Sequence, residues 1–178
     1  MARDNIRETF GADYLSEESK YATELTAMQN LSDLADYLEV FADASYDTVF
    51  RQKAADLIRD MFVSDDALLS FGPLRNEKLT RVSLEKFFKK GFGKDVKSVE
   101  MTFDPIKVGV PLSKSGQEVY EGTINTTQKL TLHTLSDSSK SYESLVVIPI
   151  LATQELKIFG TDTLKTWTVR FGDMRVDD

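Results

Sequence analysis

His133 is the only histidine in the chain and there is no cysteine, so imidazole acid–base chemistry has one candidate and thiolate chemistry has none. Cysteine nucleophiles, thiolate zinc centres, iron–sulfur clusters and histidine-rich metal sites are thereby excluded. A general acid or base must also sit in an apolar setting that tunes its pKa. His133 shares its strand parity with Lys129 and Thr131, opposite to Leu130 and Leu132, so it is expected to face solvent. Three polar residues do fall on apparent core parities: Tyr120, Gln154, and Asp173, the last following Trp167, Val169 and Phe171 with Arg175 beyond it. The plain reading of Asp173 and Arg175 is a strand end in solvent, the two exchanging hydrogen bonds.

Phosphate and metal signatures are weaker still. The run Gly91-Phe92-Gly93-Lys94-Asp95 lacks the spacing and the strand–loop–helix setting of a phosphate loop and reads as a helix stop. Asp60, Asp65 and Asp66 lack the alternating oxygen ligands of a calcium loop and read as capping residues. Asn30-Leu31-Ser32 and Asn125-Thr126-Thr127 match the glycosylation triplet, which carries meaning only on a eukaryotic secretory route. No motif calls for a cofactor.

Charge is unevenly spread. Residues 1–72 carry 6 Lys+Arg against 15 Asp+Glu, whereas residues 73–178 carry 16 against 14. Against a net charge of −7, nucleic acid is not an expected partner. The local exception is Arg75 to Lys97, where Lys86, Lys89, Lys90 and Lys94 are among eight cations facing three carboxylates. This is first a solvated helix face. Its functional reading is a surface for an acidic protein, an anionic membrane or the acidic helices.

The elements that must position these residues follow from periodicity. All four prolines lie beyond residue 72 and eight of nine glycines at or beyond it, which makes the N-terminal part helical and the remainder mostly sheet. Ser16 caps a first helix with Tyr21, Leu25 and Met28 on one face; a second begins near Ser32 with Leu31, Leu34, Leu38 and Phe41. A third buries Phe50, Ala54, Leu57, Ile58, Met61 and Phe62. Ala67 to Phe71 is a short strand, and Ser83 starts a short helix that packs Leu84, Phe87 and Phe88 and stops at Gly91.

From there the period is two. Val99, Met101 and Phe103 lead to Ile106, Val108 and Val110. The 117–135 strand puts Tyr120, Ile124, Leu130 and Leu132 inward and Thr123, Thr127 and Thr131 outward, a face suited to a second sheet or another protein. Val146, Ile148 and Ile150 oppose Leu145, Val147 and Leu151, so that strand is expected to be covered on both sides for part of its length. Gly160 to Asp162 turns into a last strand.

This order describes an α+β domain, with N-terminal helices packed on a curved, mostly antiparallel sheet. With its helix run VFRQKAADLIRDMF leading into LLSFG, it resembles the nuclear transport factor two-like, cystatin-like cone superfamily. Residues 1–30 are then an N-terminal arm and first helix, and residues 31–178 a single cone-type domain. The resemblance implies two functions. The first is a non-catalytic binding or assembly module, the extracytoplasmic part of a cell-envelope protein like the assembly factors of type IV secretion machines, meeting the membrane only through an anchor outside this chain. Its partner would be a protein or a second copy through the sheet. The second is a small-molecule enzyme of the isomerase, dehydratase or cyclase kind, or a binder of a small apolar ligand, with Tyr120, Gln154 and Asp173 as its only assembled polar set.

Overall fold

The computed structural model describes residues 14–75 and 78–177, with side chains at all of these but 73–75 and 78–79. The charged lead-in of residues 1–13 lies outside the described residues. Among the described residues the order begins with α1 (Glu17–Ala42) and α2 (Thr48–Asp60), followed by a hairpin of β1 (Leu68–Arg75) and β2 (Lys78–Ser83) and then α3 (Leu84–Lys90). Long strands β3 (Val96–Gly116), β4 (Val119–Thr134), β5 (Ser139–Phe159) and β6 (Asp162–Phe171) form an antiparallel sheet in that order, and β7 (Arg175–Val176) pairs with β5. The α+β class and the helices-on-curved-sheet layout are as the periodicity indicates.

Each helix starts where a side chain satisfies a free backbone amide. Ser19 donates its N–H to Ser16 Oγ at 3.1 Å, Phe50 to Asp47 Oδ1 at 3.0 Å, and Lys86 to Ser83 Oγ at 3.4 Å. α3 ends at Gly91 with φ of 57°, a left-handed position that a side chain would strain.

The expected break near Ser32 does not occur. α1 runs unbroken through Asn30 and Leu31, with Gln29 donating to Asp33 Oδ1 at 2.8 Å across the supposed boundary. No glycine or proline interrupts it, and its buried stripe of Glu24, Ala27, Leu31, Leu34, Ala35 and Leu38 keeps one period throughout. Tyr21, expected on that face, is 64% exposed, and Leu25 is also exposed. In α2 the buried stretch is Ala54, Ala55 and Ile58, so Phe50 in the first turn stays 62% exposed. The β2 strand was not expected, because its lysine and arginine read as part of a charged turn.

The inward parity of β4 is buried from Tyr120 to Leu132, including the polar Thr126 and Gln128. Core and sheet meet through Phe62, whose ring lies edge-on to Phe171 at 5.6 Å, and through Phe71 and Phe87 at 5.6 Å. Register shifts in β3 at Phe103/Ile106, Val108/Val110 and Val110/Ser113 bend the sheet around the helices. Gly122 is required there: a Cβ on it would stand 2.6 Å from the Val110 carbonyl oxygen. The outer face of β5 is not covered as expected; Leu145 is 60% exposed, with Val147 and Leu151 half-buried. No element among the described residues packs over it, because the helices all lie on the other face.

Candidate functional site

Tyr120 and Gln154 come together at one end of the cone. The Tyr120 ring is buried and meets Trp167 edge-on at 5.3 Å, and Gln154 is the partner of Trp167 in the β5–β6 register. Leu15 donates its backbone N–H to Tyr120 Oη at 3.1 Å, and the Lys20 ammonium lies over the ring at 5.7 Å. Trp167 Nε1 is buried without an acceptor among the described residues; it is a donor only, able to anchor a group but not to take a proton.

Asp173 is elsewhere. It follows β6 six positions beyond Trp167, on the order of 20 Å away along extended chain. It accepts the Leu68 N–H at 3.0 Å and faces the Arg81 guanidinium at 3.8 Å. Its pairing is with β1 and β2, and Arg175, the expected partner, is exposed. The three residues thus occupy two separate places.

The polar atoms that do lie inside were not anticipated. Glu24 Oε1 accepts the Leu112 N–H at 2.7 Å and Glu39 Oε1 accepts the Met101 N–H at 2.6 Å, so α1 holds β3 through two carboxylates. Gln128 accepts from the Gly72 N–H and donates to the Ser70 carbonyl, both at 3.2 Å, and Ser70 Oγ donates to the Met174 carbonyl at 2.7 Å. The signal for Glu24 was its place three residues before Ala27 and seven before Leu31; for Gln128 it was its parity with Leu130 and Leu132. Each carries a backbone group that burial would otherwise leave unsatisfied. A general base must instead aim a lone pair at space that a substrate can enter.

His133 lies on the outer face, where its Nε2 is 3.0 Å from Glu100 Oε1 beside a recess of about 370 Å³ lined by Lys97, Ser98 and Ser138. Glu100 is 73% exposed, so the pair is screened by water. His133→Ala is expected to change stability by less than about 0.5 kcal/mol in a urea titration; a loss above about 1.5 kcal/mol would contradict the solvent-facing placement.

Thr123, Thr127 and Thr131 are half-buried on this outer face. Thr123 Oγ1 accepts the Val110 N–H at 2.9 Å, and the Thr131 and Ser141 hydroxyls are 2.9 Å apart. Beside them run Leu145, Val147, Pro149 and Leu151 of β5, registered opposite Thr127, Asn125, Thr123 and Glu121. Lower on the sheet Arg170 donates to Glu155, which holds that carboxyl below the usual glutamate range. A depressed folded pKa stabilises above the unfolded value near 4.5 and is lost as pH falls through the folded one. The stability gap between wild type and Glu155→Gln should therefore be full at pH 7 and shrink below about pH 4.5; a gap that widens in acid would contradict the pairing.

Lys86, Lys89, Lys90 and Lys94 are all exposed, and Lys89 pairs with Glu85 at 2.6 Å, drawing that carboxyl down. Among the described residues no three His, Asp or Glu side chains group as a metal site. Among the described residues no helix is long and apolar enough to cross a membrane.

No family model matches the chain, and no curated protein matches it. Among solved structures it is similar to a periplasmic fragment of TraM, at 12% identity and TM-score 0.44, covering 84% of this chain and 96% of that one. It is similar also to an NTF2-like protein of unknown function from Exiguobacterium sp. 255-15, at 14% identity and TM-score 0.38 over 83% and 98% of the two chains. A third is a hexachlorocyclohexane dehydrochlorinase, at 8% identity and TM-score 0.35 over 91% and 94%. These likenesses transfer no activity, and function has to be argued from the chain's own residues.

Proposed function

We propose that this chain is a non-catalytic binding and assembly module of a cell-envelope protein, and that it associates through the outer face of its sheet. The observation that carries the reading is the engagement of the inward carboxylates: Glu24 and Glu39 each hold a β3 amide, while the more exposed Asp173 holds β1 at the edge. A carboxylate already bonded to a buried amide is a poor base, because protonating it or turning it away breaks a bond that holds the fold. The sheet face offers the alternative. Leu145, Val147, Pro149 and Leu151 form an apolar strip beside threonines whose hydroxyls are partly engaged. Such a strip can pair with its own copy about a two-fold axis, with Glu121 beside Leu151 at one end and Lys129 beside Glu143 at the other.

Sedimentation velocity at low salt and near 1 M salt tests this. Sheet pairing driven by apolar contacts should persist or strengthen as salt rises, and Leu145→Lys should abolish it. Association that instead weakens where screening falls to about 3 Å would place the contact on the acidic helices and the basic 75–97 segment. A strict monomer at high protein concentration in both conditions would overturn self-association.

A further inference from the structure

The geometry points to a binding site for an amphipathic anion, with an apolar body and a carboxylate or sulfonate head, in the cavity between the β1–β2 hairpin and the C-terminal end of α3. The site is separate from the cone end at Tyr120 and from the outer sheet face, so the proposal stands independently of sheet association.

The cavity is a recess of about 660 Å³, open on one side and within the size range of small-molecule sites. Its floor is aromatic. Phe71 and Phe87 are almost fully buried and Phe92 half-buried, with ring centroids 4.9 Å apart for Phe71–Phe92 and 5.1 Å for Phe87–Phe92. Val82 continues the apolar wall on β2. Gly91 and Gly93, with φ of 57° and 127°, turn the chain from α3 around the mouth in conformations closed to most side chains.

The mouth is cationic. Lys89 and Lys90 from the last turn of α3 and Lys94 from the following turn line it, against one lining carboxylate, Asp95. Lys89 is engaged by Glu85, but Lys90 and Lys94 have no carboxylate partner among the described residues. Complementing the α3 dipole accounts for cations in the last helical turn. It does not account for Lys94, which lies past Gly91 and borders the same opening. In a chain of net charge −7, this concentration of cations above an aromatic floor selects a negative head over an apolar tail.

The full chain is titrated with 1-anilinonaphthalene-8-sulfonate by fluorescence, and the dye is displaced with decanoate or with decan-1-ol. Decanoate should displace it about tenfold more effectively than the alcohol. Lys90→Gln with Lys94→Gln, two exposed positions that leave the core untouched, should weaken decanoate by about five- to tenfold and leave decanol unchanged. Amide shifts on binding should fall within residues 80–95. Equal displacement by acid and alcohol, decanoate binding indifferent to the double variant, or amide shifts centred on the long sheet would each overturn the proposal. So would binding of phosphatidylglycerol vesicles by the wild type with no binding of free decanoate, since the lysines would then serve a flat membrane surface and not a small-molecule recess.

Discussion

Phe62→Ala is expected to remove about 3–5 kcal/mol of stability, a large share of the roughly 5–15 kcal/mol that a domain of this kind possesses. Phe62 is 2% exposed and lies where the helical layer meets the end of the sheet. Its ring stacks edge-on with Phe171, and the backbone closes around the pair: Phe171 donates its N–H to the Met61 carbonyl at 2.8 Å and Val63 donates to the Phe171 carbonyl at 3.0 Å. Truncation leaves a cavity whose walls are tied by those bonds, so little collapse can refill it. Urea titration of both proteins should show the midpoint fall with the slope retained. A loss below about 1 kcal/mol would mean that the helices and sheet do not join here.

The second large effect is expected from the two α1 carboxylates. Removing an acceptor from a buried amide costs about 1–3 kcal/mol. Glu24 and Glu39 grip β3 at Leu112 and Met101, eleven residues apart on the strand, so their losses should add. Glu24→Ala with Glu39→Ala should therefore cost about 2–6 kcal/mol. Glu24→Gln with Glu39→Gln should recover most of it, because the amide oxygen still accepts the same N–H. If both pairs of substitutions were neutral, the carboxylates would not be holding β3.

The strand alternation of β4 and β6 and the helix starts at Ser16 and Ser83 were legible because local periodicity and local hydrogen bonds determine them. The span of α1 was legible in principle. The large side chains Tyr21 and Leu25 suggest one face, yet the smaller Ala27 and the charged Glu24 occupy the buried one, since what packs against β3 must leave room for a backbone amide. Phe50 shows the reverse error: it has the right period but lies before the buried stretch of α2 begins. The bonds of Glu24, Glu39, Gln128 and Asp173 span 56 to 105 residues of sequence, and no periodicity reports a partner that distant. The lysine cluster could be read from composition, whereas the aromatic floor beneath it required the fold to bring Phe71 to Phe92.

The inward carboxylates of the cone, Glu24 and Glu39, are each bound to its own backbone. Amide hydrogen exchange read residue by residue tests this most directly. Protection at Leu15, Met101 and Leu112 should approach that of the global unfolding reaction, and Glu24→Ala should remove it at Leu112 while sparing Met101. Fast, unprotected exchange at Met101 and Leu112 in the wild type would show carboxylates free to meet a ligand, and would contradict the account.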